Sequence, residues 1–326
     1  MLRIGSLKFK SNLILAPMSG VTDLPFRMLN RKFGCELAFV EMINARSLGH
    51  KSIKTQQLLT TNRQDKPLGI QLLGSEPKYI KRGLDILAKY KFDLLDFNAA
   101  CPARKVIRRG EGASLLTEPK KLGSALKLLV NNSKVPVTVK IRIGWDKDNI
   151  NAVEVAKVCQ DAGVNAVFVH GRTRLQEYSG KVDYAVIGEV KNNLSIPVIA
   201  SGDIFSAQLA KKMFDETGCD GILVARGALG NPWIFNQIRH FLQYGTPSDK
   251  PDVPTIVETM THHFQSCVDF YGPRVGVTIF RKFFSWYTKG FHRVRPLREK
   301  ACRANNEGEM LAVINEINRQ NAEYKL

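Results

Sequence analysis

The chain alternates between short, almost wholly apolar runs and longer stretches whose apolar residues recur every three or four positions. Eight short runs stand out. They are LILAP (13–17), ELAFVEM (36–42), PLGIQLLG (67–74), FDLLDFNAACP (92–102), PVTVKIRIGW (136–145), AVFVHGRT (166–173), IPVIASGDI (196–204) and GILVARGALG (221–230). They are rich in β-branched residues and apolar nearly throughout, as strands covered on both faces must be. Helical periodicity fills the gaps: LPFRMLNRKFG (24–34), EPKYIKRGLDILAKY (76–90), PKKLGSALKLLVNNS (119–133), NAVEVAKVCQDAG (151–163), VDYAVIGEVKNNL (182–194) and SAQLAKKMFDETG (206–218). Several of these end in Gly or Asn, the usual helix stops. Eight strands alternating with helices over about 230 residues predict an α/β chain closed into a (β/α)₈ TIM barrel. An open doubly wound sheet rarely needs eight strands, and its Gly-x-Gly-x-x-Gly turn is missing after the first run.

The pattern changes after YGTPSDKPDVP (244–254), a turn-rich stretch that reads as a linker. VPTIVETMTHHFQSCVDFYG (253–272), VGVTIFRKFFSWYTKGF (275–291) and NEGEMLAVINEINRQNAEY (306–324) have helical periods and no strand signal. Two domains are therefore predicted: a catalytic barrel over residues 1–243 and a small all-helical C-terminal domain over 244–326.

Barrel enzymes place their chemistry where strands end, so the polar residues at those positions are the candidates. The first strand ends in Pro17, Met18 and Ser19. The third carries Gln71, and the fourth ends in Asn98 and Cys101. The fifth carries Lys140 and Arg142, and the sixth ends in His170, Gly171 and Arg172. The last two end in Ser201-Gly202-Asp203 and Ala225-Arg226-Gly227. Phosphate sites in this fold are often built from the loops after strands seven and eight, where glycines let backbone N–H groups approach an anion. Barrel turns need glycine anyway, so it is the placement on these two strands that favours a phosphate. Lys140 emerges from a buried apolar strand, which costs several kcal/mol unless the ammonium is paired or solvated in a cavity. It is either a salt-bridged lysine or a cation beside an electron-rich ring, where it would stabilise a reduced flavin. Gln71 is placed to hydrogen-bond the edge of that ring. His170 is either a satisfied polar residue or a ligand contact. Cys101 opens a loop at the barrel mouth, which favours a reactive role over inert burial. Arg104, Lys105, Arg108 and Arg109 on the same loop suit an anionic partner.

Charge strengthens that last point. Lys and Arg number 48 against 30 Asp and Glu, for a formal net charge of +18, a field that attracts polyanions. Between 271 and 303 only Glu299 opposes Arg274, Arg281, Lys282, Lys289, Arg293, Arg295, Arg298, Lys300 and Arg303. Phe280, Phe283, Phe284, Trp286, Tyr287 and Phe291 are interleaved with them, mostly as helix core. Phosphate binding accounts for the run better than a merely solvated face does. The six cysteines are scattered, without Cys-x-x-Cys pairs or zinc-ligand spacing. A reducing compartment is expected and no metal. No apolar run suits a leader peptide or a membrane span, so a cytoplasmic location is expected.

LAPMSGVTDLPFR (15–27), FNAACPARKVIRRGEGASLL (97–116), VKIRIGW (139–145), HGRTR (170–174), ASGDI (200–204) and ARGALGNPWIF (225–235) together resemble the tRNA-dihydrouridine synthase family, in particular its bacterial B-type branch. The resemblance covers nearly all of residues 1–290. It implies flavin mononucleotide (FMN) as cofactor, NADPH as reductant and tRNA as substrate. By position it implies that Pro17, Met18 and Ser19 line the flavin, that Gln71 and Lys140 contact its ring, and that His170 lies beside it. Ser201, Gly202, Asp203, Ala225 and Arg226 would hold the phosphate end, and Cys101 would donate the proton. Asn98, Arg142 and Arg172 would hold the flipped uracil, with Arg104, Lys105, Arg281 and Lys282 as tRNA contacts. The family usually has Asn at position 201 and often Gly at 225; Ser and Ala are also small and keep backbone donors. The segment Asn98-Ala99-Ala100-Cys101 has alanines where the branch more often has a bulkier residue and a glycine.

The resemblance implies hydride transfer to carbon 6 of uracil and protonation at carbon 5 by Cys101. Arg104 and Lys105 would favour thiolate at that cysteine, a tension that RNA phosphates on those cations would relieve. Two other readings remain. A flavin reductase or dehydrogenase of free pyrimidines would not need the basic helical region. A non-catalytic RNA-binding barrel would leave Cys101, Lys140 and Gln71 together unexplained. No obligate protein partner is evident, and a monomer is expected.

Overall fold

In a computed structural model the described residues are 1–48 and 53–323; the last residue of the third C-terminal helical pattern, position 324, lies outside them. All eight predicted strands form: β1 (Leu13–Leu15), β2 (Leu37–Phe39), β3 (Leu68–Leu73), β4 (Leu94–Ala99), β5 (Val137–Arg142), β6 (Ala166–His170), β7 (Val198–Ser201) and β8 (Gly221–Val224). Each pairs in parallel with the next, and β8 closes on β1 through Ile222↔Leu13 and Val224↔Leu15. The result is a closed (β/α)₈ barrel with helices outside.

Strand alternation explains the unbroken apolar runs. Leu13, Leu15, Ile70, Leu72, Leu95, Phe97, Val137, Val139 and Ile141 face outward under the helices. Ile14, Leu37, Phe39, Leu94, Phe168, Ile199 and Leu223 face inward and fill the barrel. Phe39 and Phe168 meet edge to face at 5.8 Å. Gly69 makes room for them, because a Cβ there would lie 2.3 Å from the Phe39 ring. A small antiparallel hairpin, Arg3–Ile4 with Leu7–Lys8, brings Leu2, Ile4 and Phe9 onto this inner cluster and plugs the end opposite the strands' C-termini.

Outside run α1 (Leu24–Lys32), α2 (Pro77–Leu87), α3 (Pro119–Asn132), α4 (Ala152–Asp161), α5 (Tyr184–Asn193), α6 (Ala207–Thr217) and α7 (Ile234–Tyr244). Their ends obey local rules. Asp23, Asp183 and Ser206 cap α1, α5 and α6 by accepting from the N–H three residues on. Gly218 and Gly245 stop α6 and α7 in the left-handed conformation. Between β2 and β3 the described residues form a short strand, Ile43–Asn44, paired with β3, and two short helices, Ala45–Leu48 and Ile53–Leu58. Asp65, wholly buried, ties α1 to the approach of β3 by accepting from Arg27 (2.7 Å) and Arg31 (2.8 Å).

The C-terminal region is α8 (Val253–Tyr271), α9 (Pro273–Tyr287), α10 (Arg295–Arg303) and α11 (Glu307–Glu323). Gly276 lets α8 and α9 cross closely, since a Cβ there would lie 2.7 Å from Val268 Cα. Phe280, Phe283, Phe284 and Tyr287 are buried, so these aromatics are core. Each is worth roughly 1.5–3 kcal/mol of burial. The same core is continuous with the barrel: Phe283 stacks on Phe26 of α1 at 5.6 Å, and Tyr271 donates to Asp23.

Candidate active site

The C-terminal ends of the strands surround a cavity of about 400 Å³. Its wall contains Pro17, Met18, Ser19, Gln71, Asn98, Cys101, Lys140, Arg142, His170, Ser201, Gly202, Asp203, Ala225 and Arg226. Sequence reasoning missed Met42, Tyr178 and Phe205, which line the same space. Met42 sits just past β2, and the other two come from the loops after β6 and β7, whose path the strand pattern does not specify.

On the floor, hydrogen bonds link neighbouring strands. Thr138 Oγ1 donates to Asp96 Oδ1, Gln71 Nε2 donates to Asp96 Oδ2, and Asn98 Nδ2 donates to Gln71 Oε1, each at 2.7 Å. Asn98 Oδ1 then accepts the backbone N–H groups of Ala100 (3.0 Å) and Cys101 (2.9 Å). The β4 loop folds back so that Ala113 N–H donates to the Cys101 carbonyl, and Gly112 (φ +61°) sits where a Cβ would lie 2.7 Å from that oxygen. Burial pushes the Cys101 thiol above its ordinary range, outweighing the pull of Arg142 and Lys105. Desolvation thus outweighs the basic loop in its effect on this thiol. Arg104 and Lys105 themselves stand exposed on the short helix Arg104–Ile107, outside the cavity wall.

Lys140 Nζ reaches Ser201 Oγ at 3.3 Å. Desolvation pushes its pKa down to about 7, with Arg142 adding to the effect and Asp96 opposing it. His170 is held neutral, well below its ordinary value, by burial and then by the surrounding Lys140, Arg142, Arg172 and Arg226. Its Nδ1 is buried and has no protein partner. A buried ring nitrogen without a partner, on a cavity wall, awaits a donor or acceptor from a bound molecule.

Two arginines expected at the substrate stand differently. Arg142 lines the cavity, but Nε donates to Ala100 O and Nη1 to Thr173 O and Glu177 O, each at 2.8 Å. It clamps the loops after β4 and β6 together. Arg172 is 2% exposed and absent from the cavity wall. Its guanidinium is spent on Asp203 and on the carbonyls of Ser179 and Gly180. Arg172, through its hydrogen bond, holds the Asp203 carboxyl below the usual range. Asp203 (φ +50°) also accepts from Arg226 at 2.8 Å. The Arg226 guanidinium in turn lies 4.9 Å from the Tyr178 ring and 5.3 Å from that of Phe205. Opposite it, Gly227 passes so close to Ile204 that a Cβ would meet its carbonyl oxygen at 1.9 Å.

Arg281 and Lys282 are likewise engaged within the protein. Arg281 donates to Ala304 O and Asn305 Oδ1, and Lys282 donates to the Gly20 carbonyl. Gly20 N–H in turn donates to Glu41. No group of His, Cys, Asp and Glu side chains suited to a metal ion occurs among the described residues. No described helix is long and apolar enough to cross a membrane.

The pattern of the family described as dihydrouridine synthase (Dus) matches residues 14–323. The "Probable tRNA-dihydrouridine synthase" of Rickettsia conorii is 40% identical over 291 residues, covering 89% of this chain and 88% of that protein. The tRNA-dihydrouridine synthase B of Vibrio parahaemolyticus is 38% identical, covering 91% and 92%. Among solved structures, the old yellow enzyme homologue of Zymomonas mobilis shares the fold at 13% identity and a TM-score of 0.56, over 78% of this chain and 94% of that one. The histamine dehydrogenase of Rhizobium sp. 4-9 does so at 14% and 0.58, over 81% and 50%. With its family pattern running from the first barrel strand to the last helix, and relatives this similar over nearly their full length, the chain belongs to the dihydrouridine synthase family.

Proposed function

We propose that this protein reduces a uridine of tRNA to 5,6-dihydrouridine, with FMN in the barrel mouth and NADPH as the reductant. The observation that carries the reading is Cys101, whose thiol burial pushes toward the neutral form, on the wall of the same cavity as Lys140, Gln71 and the partnerless His170 nitrogen. These groups fit a flavin. Gln71 and Asn98 each keep one amide N–H beyond those bonded on the floor, and Lys140 keeps ammonium donors beyond Ser201. The turns at Ser201–Asp203 and Ala225–Gly227 would take the phosphate, with Arg226 as the adjacent cation. Pro17, Met18 and Ser19 would border the ring.

When bound, FMN supplies hydride to carbon 6 of uracil. Cys101 Sγ–H holds the proton for carbon 5, and its thiolate is reprotonated from solvent. Lys140 and Arg142, both on the cavity wall, stabilise negative charge that develops on the base. The cavity is a pocket, so the uridine must leave the RNA stack to enter it. Arg104 and Lys105, exposed beside Cys101, together with the basic helical region, are placed to bind the RNA backbone.

The purified protein is expected to be yellow and to form dihydrouridine in tRNA isolated from a strain lacking it. Cys101→Ala should keep the colour and lose about 10²–10⁴-fold in rate, the usual worth of general acid catalysis. Full activity in that variant would refute the assignment of the proton donor; a colourless protein would refute the flavin.

A further inference from the structure

The floor of the cavity is a directional chain of hydrogen bonds. At one end stands the Asp96 carboxylate, which can only accept. At the other stand the N–H groups of Ala100 and Cys101, which can only donate. Two primary amides, Gln71 and Asn98, lie in series between them. Each amide has one oxygen and one nitrogen. Only one orientation of each satisfies both ends: nitrogen toward Asp96, oxygen toward Cys101. Turning either amide over would set N–H against N–H, or oxygen against oxygen, inside a dry barrel. Asp96 itself is 1% exposed and so lies beneath the reacting space rather than in it. Its other oxygen is occupied by Thr138.

We propose that Asp96 is a positioning residue: it sets the polarity of the Gln71–Asn98 amide pair and thereby clamps the turn that carries Cys101. The same polarity decides what the cavity offers a ligand. With their oxygens committed to the chain, Gln71 and Asn98 each have a spare N–H, so this part of the wall presents donors to the carbonyl oxygens of a bound ring. The role of Cys101 in this scheme rests on the proposed reaction, but the clamp does not.

Asp96→Val tests the clamp by replacing the terminal acceptor with an apolar side chain. Gln71 Nε2 then has no acceptor, its amide is free to turn over and Asn98 with it, and the backbone N–H groups of Ala100 and Cys101 lose their fixed acceptor. Adding Gln71→Glu restores the direction one link along, because a carboxylate there can only accept and takes the N–H of Asn98 Nδ2.

The measurement is hydrogen–deuterium exchange across residues 98–103, with the rate of Cys101 alkylation, on the purified full-length protein without RNA. Asp96→Val should speed exchange at 100 and 101 by about tenfold, the worth of one lost hydrogen bond. The double variant should return it to near the wild-type rate. Unchanged exchange in Asp96→Val, or no recovery in the double variant, overturns the proposal. If Asp96→Val does not fold alone, a folded and protected double variant supports the proposal and an unfolded one overturns it. The visible absorbance of the same samples reports on the flavin separately, so a colourless protein would sink the reaction and leave the clamp decided on its own terms.

Discussion

Cys101 is half-buried at the cavity wall, and burial alone moves a thiol toward its neutral form. The direction of this shift makes a checkable statement about pH. An exposed thiol has its ordinary value near 9, and the folded thiol lies above it. Alkylation of Cys101 should therefore be slow at neutral pH and still be rising with pH beyond about 9. The measurement belongs in a Cys302→Ser background, because Cys302 is exposed. A plateau below about pH 8 would mean thiolate, and would remove Cys101 as an acid. Lys140 presents the opposite case. Desolvation has lowered its pKa to about 7, with the Asp96 carboxylate already opposing the shift. Asp96 is itself pushed up to about 6 by burial. Burial thus favours the neutral form of both groups within one barrel mouth.

At the scale of elements, the cavity owes its shape to places where backbone passes backbone. Gly227 and Gly245 make the contrast. Both are glycines near the ends of elements, but only Gly227 faces a fixed obstacle, the Ile204 carbonyl oxygen. Gly245 has a left-handed backbone (φ +73°), and a Cβ there would meet nothing within 4 Å. Gly227→Ala should cost about 3 kcal/mol or more, because the loops after β7 and β8 must part. Gly245→Ala should cost about 1 kcal/mol, the strain of one residue in the left-handed region. Urea unfolding of the two variants measures both. Equal costs would mean that the β7 and β8 loops are not locked together at this point. Arg142 works at the same scale, joining the loops after β4 and β6 through three backbone carbonyls. It lines the cavity, as its position at the end of a strand suggested, and it also braces these two loops.

At the scale of the whole molecule, the helical region and barrel share one core through Phe26, Phe283 and the Asp23–Tyr271 bond. The basic run in that region divides in two. Arg281, Lys282, Arg295, Arg298 and Lys300 bond to Ala304, Gly20, Glu299, Thr288 and Glu316 respectively. Arg274 and Lys289 lie exposed on or beside the same helix, α9. Under the proposed function, Arg274→Glu with Lys289→Glu should weaken tRNA binding and flatten its salt dependence, while Arg281→Gln should mainly loosen the join between α9 and the turn from α10 to α11. Filter binding across a salt series checks this. With about four phosphate contacts the wild-type slope should be roughly −3 in log K against log salt; a salt-independent affinity would argue against a phosphate grip altogether. The eight strands, the outer helices α1–α6 and the C-terminal helices α8, α9 and α11 were legible in the sequence, because strand alternation and helical period are local consequences of burial on two faces or one; α7 and α10 were not read from it. The cavity-lining residues at strand ends were legible for the same reason, since a closed parallel barrel sends every strand's C-terminus to one mouth. What the tertiary structure alone decided was how each polar side chain is spent. Arg172 turned under Asp203, Arg142 came to brace two loops, and Asp96 and Thr138 joined the floor. Those outcomes depend on which donor meets which acceptor across strands far apart in sequence, and no local pattern of residues encodes that pairing.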